Sequence, residues 1–167
     1  MADDASPRAS QGRDFLRRER LHVRSFHPTF EWRIEPTASP RNPLRVPLER
    51  ARIGLVSTAG GYARGQARFS LSDEGDPSHR SFAWDEPVRF AHGGYDTRRA
   101  YRDPEVVLPR ATLGGLAAAG VIGSTAARAV SLMGYIPDTG PLLAETGPRV
   151  AAELVADAVD LVLLVPA

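Results

Sequence analysis

Cysteine is absent from the 167 residues, and all 21 basic residues are Arg, with no Lys among them. The first absence removes disulfides, thiolate metal ligands and a thiol nucleophile from the chain's own side chains. The second removes Schiff-base lysines and the lysine of a phosphate-binding P-loop. Aromatic residues are sparse at 7%, and they do not interleave with the basic amino-terminal third in any nucleic-acid-binding pattern. No apolar run approaches the roughly 20 residues that cross a bilayer, and no signal-peptide core follows the amino terminus. The expectation is a cytoplasmic protein with neither nucleic acid nor membrane as partner.

The remaining composition describes a folded chain. A hydrophobic fraction of 43% and a net charge of +1 suit a globular protein, and the length suits one domain with a substantial core. Charge is unevenly spread. Residues 1–52 carry 11 Arg against 7 acids, whereas residues 111–167 carry 2 Arg against 5. The basic third reads as a solvated arm.

Residues 1–13 read as a polar leader, and Asp14 to Arg24 as a short helix. Phe30, Trp32 and Ile34 alternate as in an extended arm, so residues 1–45 are taken as leader and arm and 46–167 as an α/β domain. Ala51 to Ser57 is an apolar strand running into Thr58-Ala59-Gly60-Gly61. Such a turn is either a tight corner at a site's edge or an anion cradle of backbone N–H groups. Arg64 to Asp103 is long and irregular, with a short strand expected at Val88–Ala91. His92, Tyr95 and Asp96 follow it, and read either as a proton-transfer cluster or as hydrogen bonding that holds a loop. Asp73, Glu74, Asp76 and His79 are metal-ligand types that also describe ordinary turns, and no metal site is assigned.

From Leu108 onward the pattern is regular. A helix carrying Leu113, Leu116 and Ala117 stops at Gly120, and Leu142 to Asp157 is helical with Pro148 near its start. It leads into Val159–Val165, a continuous apolar run that reads as a buried central strand of a parallel sheet. The fold class is α/β, a Rossmann-like or flavodoxin-like parallel sheet with flanking helices, incomplete as it stands and preceded by an extended arm.

Several blocks in order carry a likeness: Ile53 to Gly60, Glu74 to Ser78 with Arg80, His92 with Tyr95-Asp96, Asp103 with Pro109, Gly120 to Gly123, Met133 to Pro137 and Asp160 to Pro166. Over about residues 43–167 the chain resembles the selenoprotein B family of glycine, betaine, sarcosine and D-proline reductases, most of all its short D-proline-reductase-like members. The resemblance implies reductive cleavage of a C–N bond in an amino acid or related amine. A partner subunit bearing a pyruvoyl group holds the substrate amine, a selenolate attacks the α-carbon and displaces nitrogen, and a second thiol closes a selenenyl sulfide that dithiols reduce. No cofactor is implied in this chain itself.

The resemblance also implies roles. His92, Tyr95 and Asp96 would deliver protons to the leaving amine; Thr58, Gly60 and Gly61 would line the sheet edge beside the nucleophile; Arg80 would grip a substrate carboxylate. The family's selenocysteine or cysteine follows the terminal strand, so the expectation is a chain cut short at a UGA codon after Ala167 and inactive alone. The alternative is a non-catalytic binding or assembly paralogue that completes its sheet with a partner chain. Gly93-Gly94 stand where a second His is usual, and Glu105 where Asn is usual, which leaves the amine substrate open.

Overall fold

The computed structural model describes residues 42–167 and, ahead of them, positions 17–18, 21–25 and 28. Contacts divide the chain into units 1–41 and 42–167. In the first, residues 17–18 and 21–25 are helical, within and just past the helix expected at Asp14 to Arg24. The expected arm around Phe30, Trp32 and Ile34 lies outside the described residues.

The second unit is built on a four-stranded sheet of order β3-β5-β1-β6. Its strands are β1 (Arg52–Ser57), β3 (His79–Ala83), β5 (Ser124–Leu132) and β6 (Leu161–Val165). A separate antiparallel ribbon pairs β2 (Gly61–Ala63) with β4 (Val88–Phe90). Strand β1 runs parallel to β5 on one side and to β6 on the other, whereas β3 is antiparallel to β5. The unit has three α-helices, α1 (Thr97–Arg102), α2 (Arg110–Ala118) and α3 (Gly147–Ala156), of which the last two follow from the sequence signals. A π-helical turn, Leu142–Thr146, leads into α3, and Pro148 sits at that junction, in the first turn of α3.

Helices cover both faces of the sheet. On one face Ile53, Leu55 and Ala129 pack with Leu113 of α2 and with Val107 and Leu108. On the other, Val56 and Val130 pack with Val150 and Leu154 of α3. Gly54 is the β1 position over which α3 closes, since a Cβ there would stand 2.9 Å from Leu154 and 3.0 Å from Val159. The crossover from β1 to β5 carries α2 and the crossover from β5 to β6 carries α3, so successive connections leave β1 to opposite sides. That reversal is the doubly wound switch point, and it falls between the carboxyl ends of β1 and β6.

Two sequence expectations meet differences, and one stretch left without an assigned element proves to be a strand. Strand β6 is not central among the described strands but an edge, with Leu161, Leu163 and Leu164 exposed at 43%, 39% and 69%. The irregular stretch from Arg64 to Asp103 contains β3 and α1 besides the expected short strand, β4. The Ala-rich run from Ser124 is β5, a strand with neighbours on both sides, because β1 and β3 supply its hydrogen bonds.

Candidate functional site

Parallel strands bring their carboxyl ends to one edge, and there Thr58 follows β1, Gly134 lies beyond β5, and Ala167 lies beyond β6. Thr58 joins the switch point directly. Its N–H donates to the Val165 carbonyl at 3.0 Å, and its hydroxyl oxygen accepts from Ala167 N–H at 2.9 Å. Loop residue His92 closes the group from the side. A Cβ on Gly134 would stand 2.5 Å from His92 Nε2 and 2.8 Å from the Ala167 carbonyl oxygen, so these three residues converge on one small space.

Two amide N–H groups face the His92 ring. Gly94 donates to Nδ1 at 2.8 Å, and Gly134 donates to Nε2 at 3.2 Å. An imidazolium, a donor at both nitrogens, finds no acceptor in this pair, and burial lowers the His92 pKa below the ordinary value of 6.5. A neutral imidazole accepts at one nitrogen at a time, and the shorter contact is the one at Nδ1. Tyr95 packs against the ring with centroids 4.6 Å apart. Its hydroxyl donates to the Ala59 carbonyl at 2.9 Å, and burial first, with Tyr101 second, pushes its pKa up to about 12. The phenol therefore keeps its proton throughout the neutral range.

A cleft of about 360 Å³ opens beside this group. Ala100, Val106 and Val107 form apolar walls, Tyr95 and Ala167 close one end, and Asp96 and Arg99 supply charge.

The other sequence candidates take different places. Asp96 caps α1 by accepting from the Arg98 N–H, and it holds the Arg98 guanidinium at 2.9 Å. The hydrogen bonds from Arg98 keep its carboxyl below the usual range. Gly60 adopts φ +65°, and a Cβ there would stand 2.0 Å from the Ala91 carbonyl oxygen, so only glycine permits the corner. Its N–H donates to the Leu132 carbonyl at 2.8 Å, and that of Gly61 donates to Ser131 Oγ at 2.7 Å. The donors of Thr58 and Ala59 are likewise taken, by Val165 and by Ser57 Oγ. The turn's N–H groups are thus consumed in joining strands, which removes the anion-cradle alternative.

Arg80 lies on β3, separated from β6 by β5 and β1. Its guanidinium stacks 4.3 Å over the Phe69 ring and donates to the carbonyls of Ala67 and His79 and to Ser78 Oγ. Through its partner Ser131 it stands in the row of Ser57 and Val165 at the carboxyl edge, but across β5 and β1 from Ala167. Among the metal-ligand types, Asp76 accepts from the N–H groups of Ser70 and Ser78, and His79 pairs with Glu153 at 2.7 Å. No cluster of three or more His, Asp or Glu suited to a metal occurs among the described residues. Glu105, where the family pattern has Asn, accepts from the Ala111 and Thr112 N–H groups and so caps α2.

Gly134, Arg99, Val106 and Val107 were not singled out by sequence reasoning. Arg99 carried a usable signal: Asp96-Thr97-Arg98-Arg99 reads as a helix cap followed by a first turn, which places Arg99 one turn from the cap. The Gly134 position is set by chain crossing and had no local signal.

The sequence profile of the glycine/sarcosine/betaine reductase selenoprotein B family matches residues 81–167, more than half of the chain. The chain belongs to this family. It is 33% identical over 125 residues to the D-proline reductase subunit gamma of Acetoanaerobium sticklandii, an alignment covering 73% of this chain and 51% of that subunit. The chain thus spans about half the length of the curated relative it matches. No solved structure matches it. Within this selenoprotein B family member, the matched residues include His92, Tyr95, Gly134 and the whole of β5 and β6. No helix among the described residues is long and apolar enough to cross a membrane.

Proposed function

We propose that this selenoprotein B family chain acts in the cytoplasm as a subunit of a reductase that cleaves the C–N bond of an amino acid or related amine, with a dithiol as the electron donor. The observation that carries the reading is the convergence of His92, Gly134 and Ala167 at the switch point. The chain has no cysteine, so the selenol or thiol nucleophile comes to this edge from an adjoining segment or subunit. A pyruvoyl-bearing subunit is the partner that holds the substrate amine. The chain's own residues handle protons: His92, neutral at rest, takes up a proton and as imidazolium passes it to the departing nitrogen, returning to the neutral ring. Tyr95 orients the imidazole, and Thr58 holds the backbone at Ala167. Asp96 serves by capping α1 beneath the cleft. Gly60 and Gly61 build the corner that carries Thr58.

The test is reconstitution with the reductase subunits encoded alongside it. Dithiothreitol oxidation is followed with D-proline, glycine, sarcosine and betaine as substrates. Amine-dependent oxidation that requires this chain is expected, and His92→Ala should lower turnover by about 10²-fold. Absence of oxidation with any of the four amines would overturn the reading.

The exposed β6 edge favours a second reading: an assembly subunit, without catalysis of its own, that completes its sheet with another chain. Leu161, Leu163 and Leu164 offer apolar surface on both faces beside an unpaired row of backbone groups. Here His92→Ala would leave the reconstituted turnover unchanged, while Leu164→Asp would abolish association with the partner.

A further inference from the structure

We propose that Arg99 is the anion-recognising group of the cleft and that the ligand it receives carries a carboxylate on a small apolar body. The inference rests on the reading of the substrate as an amino acid or related amine, and it names the residue that takes the acid end. Only two charged side chains line the cleft, Asp96 and Arg99. Asp96 is already engaged, with one carboxylate oxygen 2.9 Å from Arg98 Nε and the other 3.1 Å from the second arm of that guanidinium. Its negative charge is therefore balanced by Arg98, which stands 83% exposed. Arg99 makes no side-chain hydrogen bond or ion pair among the described residues; its charge also acts on Asp96, but its guanidinium donors are uncommitted there. Tyr95 brings no competing donor, because its hydroxyl is committed to the Ala59 carbonyl.

The surroundings suit the ligand class. Ala100 and Val107 are buried and Val106 is exposed, so the walls offer methyl groups to an apolar body. A guanidinium matches a carboxylate in a two-pronged fork, and the apolar walls leave that fork as the ligand's polar anchor. Ala167 closes the cleft, so a ligand held by Arg99 places its body next to the space shared by His92 and Gly134. Arg80, the other basic residue with a proposed carboxylate role, is occupied on the far strand.

The probe is cyclopentanecarboxylate, which has the size of a cyclic amino acid but no nitrogen, titrated into the full chain while amide ¹H–¹⁵N shifts are followed. Saturable shifts at Ala100, Val106 and Val107 are expected, weakened at least about tenfold with cyclopentanecarboxamide and in Arg99→Gln. Arg149→Gln, exposed on α3 over the other face of the sheet, should bind as the parent does. Equal binding by Arg99→Gln, equal binding of the amide, or no shifts in the parent would each overturn the proposal. A reconstituted reductase whose KM is unmoved by Arg99→Gln would sink this inference alone. Anion binding without amine-dependent dithiol oxidation would sink only the functional reading.

Discussion

Strands β1 and β6 lie side by side in parallel, and both read as apolar runs, yet they live in opposite surroundings. In β1, Leu55 is fully buried and Ile53 and Val56 are nearly so, because β5 and β6 flank the strand and helices cover both faces. In β6 three leucines are exposed, since only one of the strand's two edges is paired. Hydrophobicity states what a strand needs covered, and its position in the sheet determines whether the described residues cover it. The comparison also separates function from stability: β1 contributes the core, while the loops beyond β1, β5 and β6 contribute the site.

Truncating the buried strand should produce the largest effect. Leu55→Ala is expected to destabilise the chain by about 3 kcal/mol, as a fully enclosed leucine leaves a cavity that the sheet cannot collapse around. Chemical denaturation would show a lower midpoint at unchanged slope; a loss under roughly 1 kcal/mol would mean the core is looser than its packing implies. Next in size is the corner leaving β1. Gly60→Ala should cost about 2 kcal/mol or more, from the left-handed φ and the approach to the Ala91 carbonyl. Thermal melting checks it, and an unchanged Tm would contradict the corner geometry.

A smaller effect is expected where β1 meets β6. Thr58→Val removes the hydroxyl that receives the Ala167 N–H, and should cost about 1 kcal/mol. Amide exchange at Ala167 should accelerate while exchange at Leu55 stays slow, and equal acceleration at both would show that the junction is not local. On the open strand, Leu164→Ser should change the stability of the isolated chain by less than about 0.5 kcal/mol. A large loss there would erase the contrast between the two strands.

The pH dependence is subtler still. His92 has a lowered pKa in the fold, so the unfolded chain binds more protons than the folded one between that lowered pKa and 6.5. Its contribution is complete above pH 6.5 and is lost as pH falls through the folded value. Denaturation midpoints should decline on acidification below about 6.5, and His92→Gln should flatten that decline. A parallel decline in both proteins would assign the effect elsewhere.

Much of the fold was legible because it is written in local patterns. Strand β1, the short β4, helix α2 with its stop at Gly120, helix α3 with Pro148 in its first turn, and β6 all carry periodicity or punctuation within a few residues. Strand β5 is different. Its sequence, Ser-Thr-Ala-Ala-Arg-Ala-Val-Ser-Leu, has no clean alternation, and it is extended because β1 and β3 pair with it from either side. Strand β3 was hidden in the same way, as its polar His79, Arg80 and Ser81 find partners in Glu153, Ala67 and Ser78, remote in sequence or lodged in a turn.

The candidate site divides along the same line. The cluster of His92, Tyr95 and Asp96 is a local sequence feature, but its members separate in space: the first two stack, whereas Asp96 turns to the helix it caps. Arg80 and Arg99 look alike as isolated letters. Arg80 ends in a nest of carbonyls over Phe69, and Arg99 in an apolar cleft, because one stands on the antiparallel edge strand and the other on the helix beside the switch point.

Composition by itself determined what chemistry this chain cannot supply, since no fold can create a thiol or an amine from residues that are absent. Hydrophobic patterning determined that parallel strands and covering helices would form, since apolar period reports burial wherever the chain folds. Tertiary structure decided which strand ends meet, that His92, Gly134 and Ala167 share one space, and which arginine lines the cleft. Those outcomes depend on crossovers that bring positions 92, 134 and 167 together, and no local pattern encodes a distance between residues so far apart in sequence.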